Sequence, residues 1–357
     1  MKTVERASIL ARAAEFFPLL GPVKPDELID LVRLELGHAE ILDGFRPYAG
    51  GFSHAVPNDP LLHVISGNTP HAGLQSLMRG LLLGAHNFVK LPSGGLREVD
   101  DFIKLLPASL AGKVATAVDL PDQWLSECRT FIVFGSDATI AHFRQRLPVE
   151  TSFEAHPHRI SLGVVFEDMN DSAPLAAVDV ARFNQKGCLS PHDIYVAGDA
   201  RSYAGRLANA LAQFERQDPR GEITALEAAE IADIRASYRF RSASDPRVAL
   251  WESEHSTAWT VIYEQDTWFV SSCLNRLVFV KPLPHDLAEA LGPALPWVAA
   301  IGIWPVTPEN AERAARLQPS RISPLGQMQN PPLSWHQEGR QTLAPLVRWV
   351  DFEPNLR

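Results

Sequence analysis

Cys188 is the residue with the clearest chemical setting in this chain. It stands in Asn184-Gln185-Lys186-Gly187-Cys188-Leu189-Ser190-Pro191, ahead of the apolar, strand-like Ile194-Tyr195-Val196. A thiol that attacks a carbonyl needs a small neighbour so that substrate can approach, and Gly187 supplies one. It also needs donors to hold the negative oxygen formed on attack. An arbitrary cysteine is more often a buried packing residue, and Cys128 and Cys273 read that way. A Gln-x-Gly-Cys loop entering a strand favours the nucleophile. Three segments lie upstream, in order: Gly67-Asn68-Thr69-Pro70, Val89-Lys90-Leu91-Pro92-Ser93 and Phe134-Gly135-Ser136. Each has a plain structural reading by itself. Asn68 suits a turn, and Lys90 suits a solvated strand end. Gly135-Ser136 suits a strand-to-helix turn, where backbone donors and the helix dipole favour an anion or polar ligand.

The elements that must carry these segments alternate between strand and helix. Leu61–Ile65, Phe88–Leu91, Val114–Val118 and Phe131–Phe134 read as short buried strands, and Ile160–Phe166 as the last strand of the same sheet. Pro25–Leu36, Leu74–Ala85, Val99–Leu105 and Ala138–Arg146 have helical spacing, with Pro25 suited to a first turn. Such alternation predicts a parallel sheet with right-handed crossovers. Helices over Tyr203–Arg216 and Thr224–Tyr238, with strands at Trp259–Tyr263, Trp268–Val270 and Leu277–Val280, predict a second α/β unit. Ile41–Pro57 reads as an extended arm or hairpin, and the polar run Glu167–Ala173 as the boundary. The expected division is 1–168, 169–340 and a C-terminal strand segment over 341–357.

Composition narrows the function classes. A length of 357 residues with 46% hydrophobic content allows two domains with sizeable cores. A net charge of −9 argues against a generic nucleic-acid or anionic-membrane binder. Three cysteines make no disulfide framework, and with no signal peptide in view a cytoplasmic location is expected. The stretch Leu291–Val306 is interrupted by Pro293, Pro296 and Pro305, so it reads as a buried, irregular segment rather than a membrane span. Around His156-Pro157-His158 no other ligand has metal-site spacing, and no Gly-x-Ser-x-Gly elbow occurs.

Taken in order, the four segments resemble the aldehyde dehydrogenase superfamily and, within it, the acyl-CoA reductase family of the bacterial bioluminescence type. The resemblance runs from about Leu62 to Tyr195 and returns at Arg321–Gly326 and Leu346–Val350. It implies an aldehyde-dehydrogenase-like α/β fold with a Rossmann-like cofactor domain, a catalytic thiol domain and a small oligomerisation arm. It implies Cys188 as nucleophile and Asn68 as side-chain donor to the oxyanion. By the same resemblance Lys90 and Ser93 lie at the adenosine half of a nicotinamide cofactor, and Gly135, Ser136 and Thr139 on its nicotinamide side. A cation at Lys90 suits a 2′-phosphate as well as a ribose hydroxyl, so NADPH is expected, with NADH the alternative. Leu346–Val350 would be an oligomerisation strand pairing with the Ile41–Pro57 arm in a homo-oligomer, and an acyl-transferring protein partner is implied alongside an acyl-CoA substrate.

One departure bears on the reaction. Hydrolytic members carry a Glu in a Glu-Leu-Gly-Gly-type segment that activates water. Counting back from Val164-Val165 places His156 at that position, with Glu154 two residues away and about 7 Å along a strand. An enzyme that exchanges a thioester needs no such base. The expectation is therefore reduction of a fatty acyl-CoA to the aldehyde through a Cys188 acyl-enzyme, with His156 and His158 as candidate proton donors. A free-aldehyde dehydrogenase and a non-reducing, acyl-accepting subunit are the alternatives.

Overall fold

The computed structural model describes residues 1–48, 50–68, 70–168 and 172–354. Thr69 of the Asn68 segment and Met169–Asp171 of the expected boundary run lie outside them. Two compact units are present: Met1–His158 with Pro332–Arg357, and Arg159–Pro331. The first division falls ahead of the expected Glu167–Ala173 run, and the chain returns to the first unit at Pro332.

The first unit opens with helices Thr3–Ala14 and Pro25–Leu36. The second of these has Pro25 in its first turn and ends at Gly37, whose φ of 85° is the left-handed conformation glycine adopts at low cost. A hairpin follows, β1 (Arg46–Tyr48) and β2 (Gly51–Pro57). Then come β3 (Leu61–Val64), β4 (Asn87–Lys90), β5 (Val114–Ala117), β6 (Thr130–Phe134) and β7 (Ser152–His156), in a parallel sheet of order β5-β4-β3-β6-β7. Helix Pro70–Leu83 crosses from β3 to β4. It is apolar on several faces because it is covered on several: Leu74, Leu77, Met78, Leu81 and Leu82 share one core with Leu10 and Ala11 of the first helix and Leu28, Leu31 and Val32 of the second.

The second unit holds β8 (Ile160–Val165), β9 (Pro191–Val196), β10 (Val248–Glu252), β11 (Thr260–Glu264), β12 (Leu277–Pro282), β13 (Val298–Trp304) and β14 (Arg321–Pro324), in the order β10-β11-β12-β9-β8-β13-β14. All pairs are parallel except β10–β11. Helices Ala200–Gln217 and Ala225–Ser244 match the expected positions and run further. The chain's final strand, β15 (Val347–Phe352), returns to the first unit and pairs antiparallel with β2, Val347 opposite Pro57 and Phe352 opposite Phe52. Tyr48 stacks on Trp349 across this small sheet, ring centroids 6.1 Å apart.

Three expectations are corrected. Ile160–Val165 is not the last strand of the first sheet but a central strand of the second, between β9 and β13. Every residue of it is buried, and a strand buried on both faces needs neighbours on both edges and cover above and below. The edge place in the first sheet goes to Ser152–His156, none of which is fully buried. Trp268–Val270 forms no strand, because the Val270 N–H donates to the Asp193 carboxylate (3.0 Å) and the Phe269 N–H to the Ala290 carbonyl (2.9 Å) rather than to a ladder. The Leu291–Val306 stretch is irregular only as far as Trp297; Val298–Trp304 is a buried strand.

A buried polar chain ties the first sheet to its helix. His63 on β3 contacts Ser76 Oγ through Nδ1 (2.8 Å) and Asn87 Oδ1 through Nε2 (3.0 Å). An amide oxygen only accepts, so Nε2 carries the proton and Nδ1 accepts from the Ser76 hydroxyl. Burial pushes the His63 pKa down to about 4, which keeps the ring neutral. Gly80 leaves room for this arrangement: a Cβ there would sit 1.9 Å from Asn87 Oδ1 and 3.1 Å from Leu61 Cδ1. Gly80→Ala in an open helix would gain about 1 kcal/mol. Here the sign should reverse, with a loss of about 1–3 kcal/mol from overpacking, read as a lower urea midpoint at unchanged m-value.

Candidate active site

The parallel register of the first sheet brings the sequence-predicted cofactor residues to one edge. Val64 lies opposite Lys90 and Val133, and Lys90 opposite Ala117, so the segments after β3, β4 and β6 leave from the same carboxyl end. Strand order reverses between β3 and β6, and such a switch point opens a crevice where ligands bind in open α/β sheets. Asn68 follows β3 and is exposed. Its loop lies against the one carrying Ser93, since a Cβ on Gly67 would meet Pro92 at 3.4 Å. Lys90 is half-buried at the end of β4 and makes no ion pair with a described residue. Gly135 follows β6, where a Cβ would press on Thr139 Cγ2 at 3.1 Å. Ser136 caps helix Asp137–Arg144, its Oγ accepting the Thr139 N–H at 3.3 Å and lying 3.0 Å from Thr139 Oγ1.

Beside this edge, Ser76, Arg79, Phe134, Glu154, His156 and Arg340 line a small cavity of the first unit. His156 stacks on Phe134 with centroids 4.4 Å apart, and its Nδ1 lies 3.0 Å from Glu338 Oε1. The pair holds the Glu338 carboxyl below its usual range against the opposing effect of burial. Glu154 shares the face of His156 and lies 3.7 Å from Arg340. The β6–β7 register sets Glu154 opposite Ile132 and His156 opposite Phe134, so both side chains that could stand in for a water-activating Glu face this one cavity. His158 is exposed just beyond the strand.

Cys188 lies in the second unit and is itself exposed on an otherwise largely buried turn entering β9. Its approach is unusual: Phe183, Asn184 and Gln185 have φ of 55°, 53° and 62°. For residues with a Cβ this conformation costs roughly 1–2 kcal/mol each, so the surroundings must hold it. The buried Gln185 side chain donates from Nε2 to the Pro191 carbonyl (2.8 Å), closing the loop across Cys188. Ser161 Oγ on β8 donates to the Cys188 carbonyl (2.8 Å), and Gln329 Nε2 donates to Ser190 Oγ (3.0 Å). Further along β9, Asp193 is buried and its pKa is raised to about 7, chiefly by burial and in opposition to Lys281.

Sequence reasoning missed Ser161, Gln329 and Glu338. Each acts on a residue 27 to 182 positions away, and no local pattern marks such a partner. Lys186, already within the cysteine motif, was the one visible thread, for it leads to Glu227 (Nζ to Oε1, 2.6 Å).

The architecture and the placement of these segments define an aldehyde dehydrogenase fold. Succinate-semialdehyde dehydrogenase from Burkholderia pseudomallei superposes with a TM-score of 0.70 at 13% identity, covering 99% of this chain and 86% of that one. An NAD-dependent benzaldehyde dehydrogenase from Corynebacterium glutamicum gives 0.66 at 14% identity, with 99% and 86% covered. Residues 10–349 match the family described as Acyl-CoA reductase (LuxC), and the chain belongs to that family. Among curated relatives, long-chain acyl-protein thioester reductase 2 of Photobacterium leiognathi is 22% identical over 91% of this chain and 70% of its own length. The long-chain acyl-protein thioester reductase of Aliivibrio fischeri is 23% identical, with the same shares covered.

The three cysteines differ sharply in setting. Cys128 is buried and Cys273 partly so, and burial pushes both thiols up to about 11, whereas Cys188 is exposed. Native protein treated with a maleimide at neutral pH should therefore label at Cys188 first, the other two following only on unfolding. Peptide mapping that found Cys273 labelled ahead of Cys188 would contradict the geometry.

Proposed function

We propose that this chain reduces an acyl-CoA thioester, most simply a fatty acyl-CoA, to the aldehyde with NADPH (NADH being the alternative) through an acyl-enzyme on Cys188. The observation that carries the reading is an exposed thiol on a left-handed turn braced from β8 and across its own base, in a chain of the LuxC family. The Cys188 thiolate attacks the thioester carbonyl, the bond from carbon to the CoA sulfur breaks, and CoA leaves. The Asn68 amide and the Cys188 backbone N–H donate to the oxyanion, each such donor being worth about 2.7–4 kcal/mol.

The residues at the carboxyl edge of the first sheet fit a nicotinamide dinucleotide. Lys90 offers an ammonium committed to no carboxylate among the described residues, Ser93 and Ser136 are exposed polar groups on the segments after β4 and β6, and Gly135 and Thr139 shape the turn after β6. A reduced nicotinamide bound there supplies hydride. The thiohemiacetal oxyanion then held on Cys188 expels the thiolate and releases aldehyde, while the departed CoA thiolate takes up one proton from solvent. A second reading, in which the acyl group arrives as a protein thioester from a transferring partner, is supported by the names of the relatives. Assays with matched acyl-CoA and acyl-protein donors separate the two.

The small sheet of β1, β2 and β15 supports an oligomerisation role for the arm. Phe45, Phe52, Val350 and Phe352 are exposed there, and Phe45 and Phe52 both pack against Phe352. A second copy of the chain is the proposed cover. Among the described residues no helix is long and apolar enough to cross a membrane.

Three outcomes test this function. Cys188→Ala should abolish reduction while leaving nicotinamide binding nearly intact, and mass spectrometry should find an acyl adduct on Cys188 of the wild type alone. An adduct at Cys128 or Cys273 would sink the assignment.

Lys90→Ala should raise KM for NADPH much more than for NADH. An unchanged preference would leave Lys90 as a strand-end charge.

Given aldehyde and oxidised cofactor, the enzyme should form acyl-CoA only when CoA is present. Acid released at full rate without CoA would mean that Glu154 or His156 activates water, as a free-aldehyde dehydrogenase requires.

A further inference from the structure

Two segments of the second unit run through three consecutive left-handed residues: Phe183–Gln185, ahead of Cys188, and Leu274–Arg276, with φ of 67°, 56° and 64°. Neither contains glycine, so neither conformation is one its residues adopt freely. The two are joined twice. Arg276, itself almost wholly buried, donates from Nε to the Ala181 carbonyl (3.1 Å), at the end of the helix that leads into the first turn. Glu227, in the first turn of helix Ala225–Ser244, accepts from Lys186 Nζ at 2.6 Å and from Asn275 Nδ2 at 3.3 Å through the same Oε1. One carboxylate oxygen thus holds the residue two positions before the cysteine and the middle residue of the second turn.

We infer that Glu227 is a positioning residue for the Cys188 nucleophile, its carboxylate latching Lys186 of the cysteine loop to Asn275 of the second left-handed turn. The inference rests on Cys188 being the nucleophile proposed above. The Glu227 carboxylate is also anchored from behind. Its Oε2 accepts the Thr224 N–H (2.8 Å) and hydroxyl (2.9 Å) in a capping box, so the helix fixes where the latch can stand. Capping by itself does not explain the arrangement. A Gln would complete the same box, whereas the ion pair to Lys186 needs the charge. The Lys186 bond and the cap hold the Glu227 pKa down at about 2, so the latch is ionised across the working pH range. On the other side, Arg220 donates from Nη1 to the Asn275 carbonyl (3.3 Å), steadying the second turn independently of Glu227. A cysteine whose loop drifts loses rate more than binding, because attack requires the sulfur at a near-attack distance and angle.

The test uses the full chain with Glu227→Gln, which preserves the capping box, and Lys186→Met, which removes the partner. Two readouts are taken beside thermal unfolding: steady-state kcat and KM with an acyl-CoA, and the rate of iodoacetamide alkylation at Cys188 by peptide mapping without substrate. Both variants should unfold within a few degrees of wild type, lose roughly tenfold or more in kcat with little change in KM, and show an altered alkylation rate and pH profile at Cys188. The double variant should lose no more than the worse single variant, because the two side chains form one unit. Lys186→Arg should recover most of the rate lost in Lys186→Met. Alkylation and kcat within twofold of wild type in both single variants would overturn the latch. So would losses that simply add in the double variant. Alkylation at Cys188 is read without thioester, so it reports on the latch even if the acyl adduct fails to form, and that failure would count against the proposed function alone.

Discussion

A parallel strand cannot turn back on its neighbour, and each crossover must carry an apolar face over the sheet it leaves. Much of this chain follows from that constraint. It requires strands such as Leu61–Val64 and Ile160–Val165 to be buried along their whole length. It also explains the Pro70–Leu83 helix, whose leucines face the sheet on one side and the two N-terminal helices on another. Because every strand of the first sheet runs the same way, the loops at its carboxyl ends converge. Asn68, Lys90 and Gly135 come together there although 67 positions separate the first from the last.

Several polar groups that the packing buries are answered by distant partners. His63 is kept neutral between Ser76 and Asn87. Asp179, its pKa raised to about 7 by burial, accepts the backbone N–H groups of Gly326 and Met328. Glu35 accepts the N–H groups of Thr342 and Ala344, fastening the returning C-terminal segment to helix Pro25–Leu36. These contacts are costly to leave unmade, which makes them effective selectors of one chain path. The cysteine turn uses the same principle with strain added. Its left-handed residues persist because Gln185, Ser161 and Gln329 hold the loop at three points.

Family relatives and structural neighbours agree with this physical reading at different depths. At 12–15% identity the solved structures share the architecture alone. The curated relatives share a family over most of the chain. The residues add a thiol in a braced turn, a Lys90 ammonium paired with no carboxylate among the described residues, and two candidate bases already engaged by Glu338 and Arg340.

Local signals were legible where local forces decide. Helix Pro25–Leu36 was readable from its proline start and apolar spacing, and the Cys188 turn from Gly187 and the strand after it. The resemblance also suggested that Leu346–Val350 pairs with the Ile41–Pro57 arm, and β15 does pair with β2 there. Which sheet a buried strand joins was not readable, because burial of Ile160–Val165 suits a central strand of either sheet and periodicity carries no address. Trp268–Val270 has strand-like residues, yet a carboxylate 77 positions away takes the Val270 N–H. The sequence by itself determined most of the elements, the turn that carries Cys188 and the loops after β3, β4 and β6, since these depend on neighbours in the chain. Only the tertiary structure decided the pairing of β8, the Glu338 partner of His156 and the bridge through Glu227 from Lys186 of the cysteine loop to Asn275. Those are contacts between distant residues, set by which surfaces can be buried together.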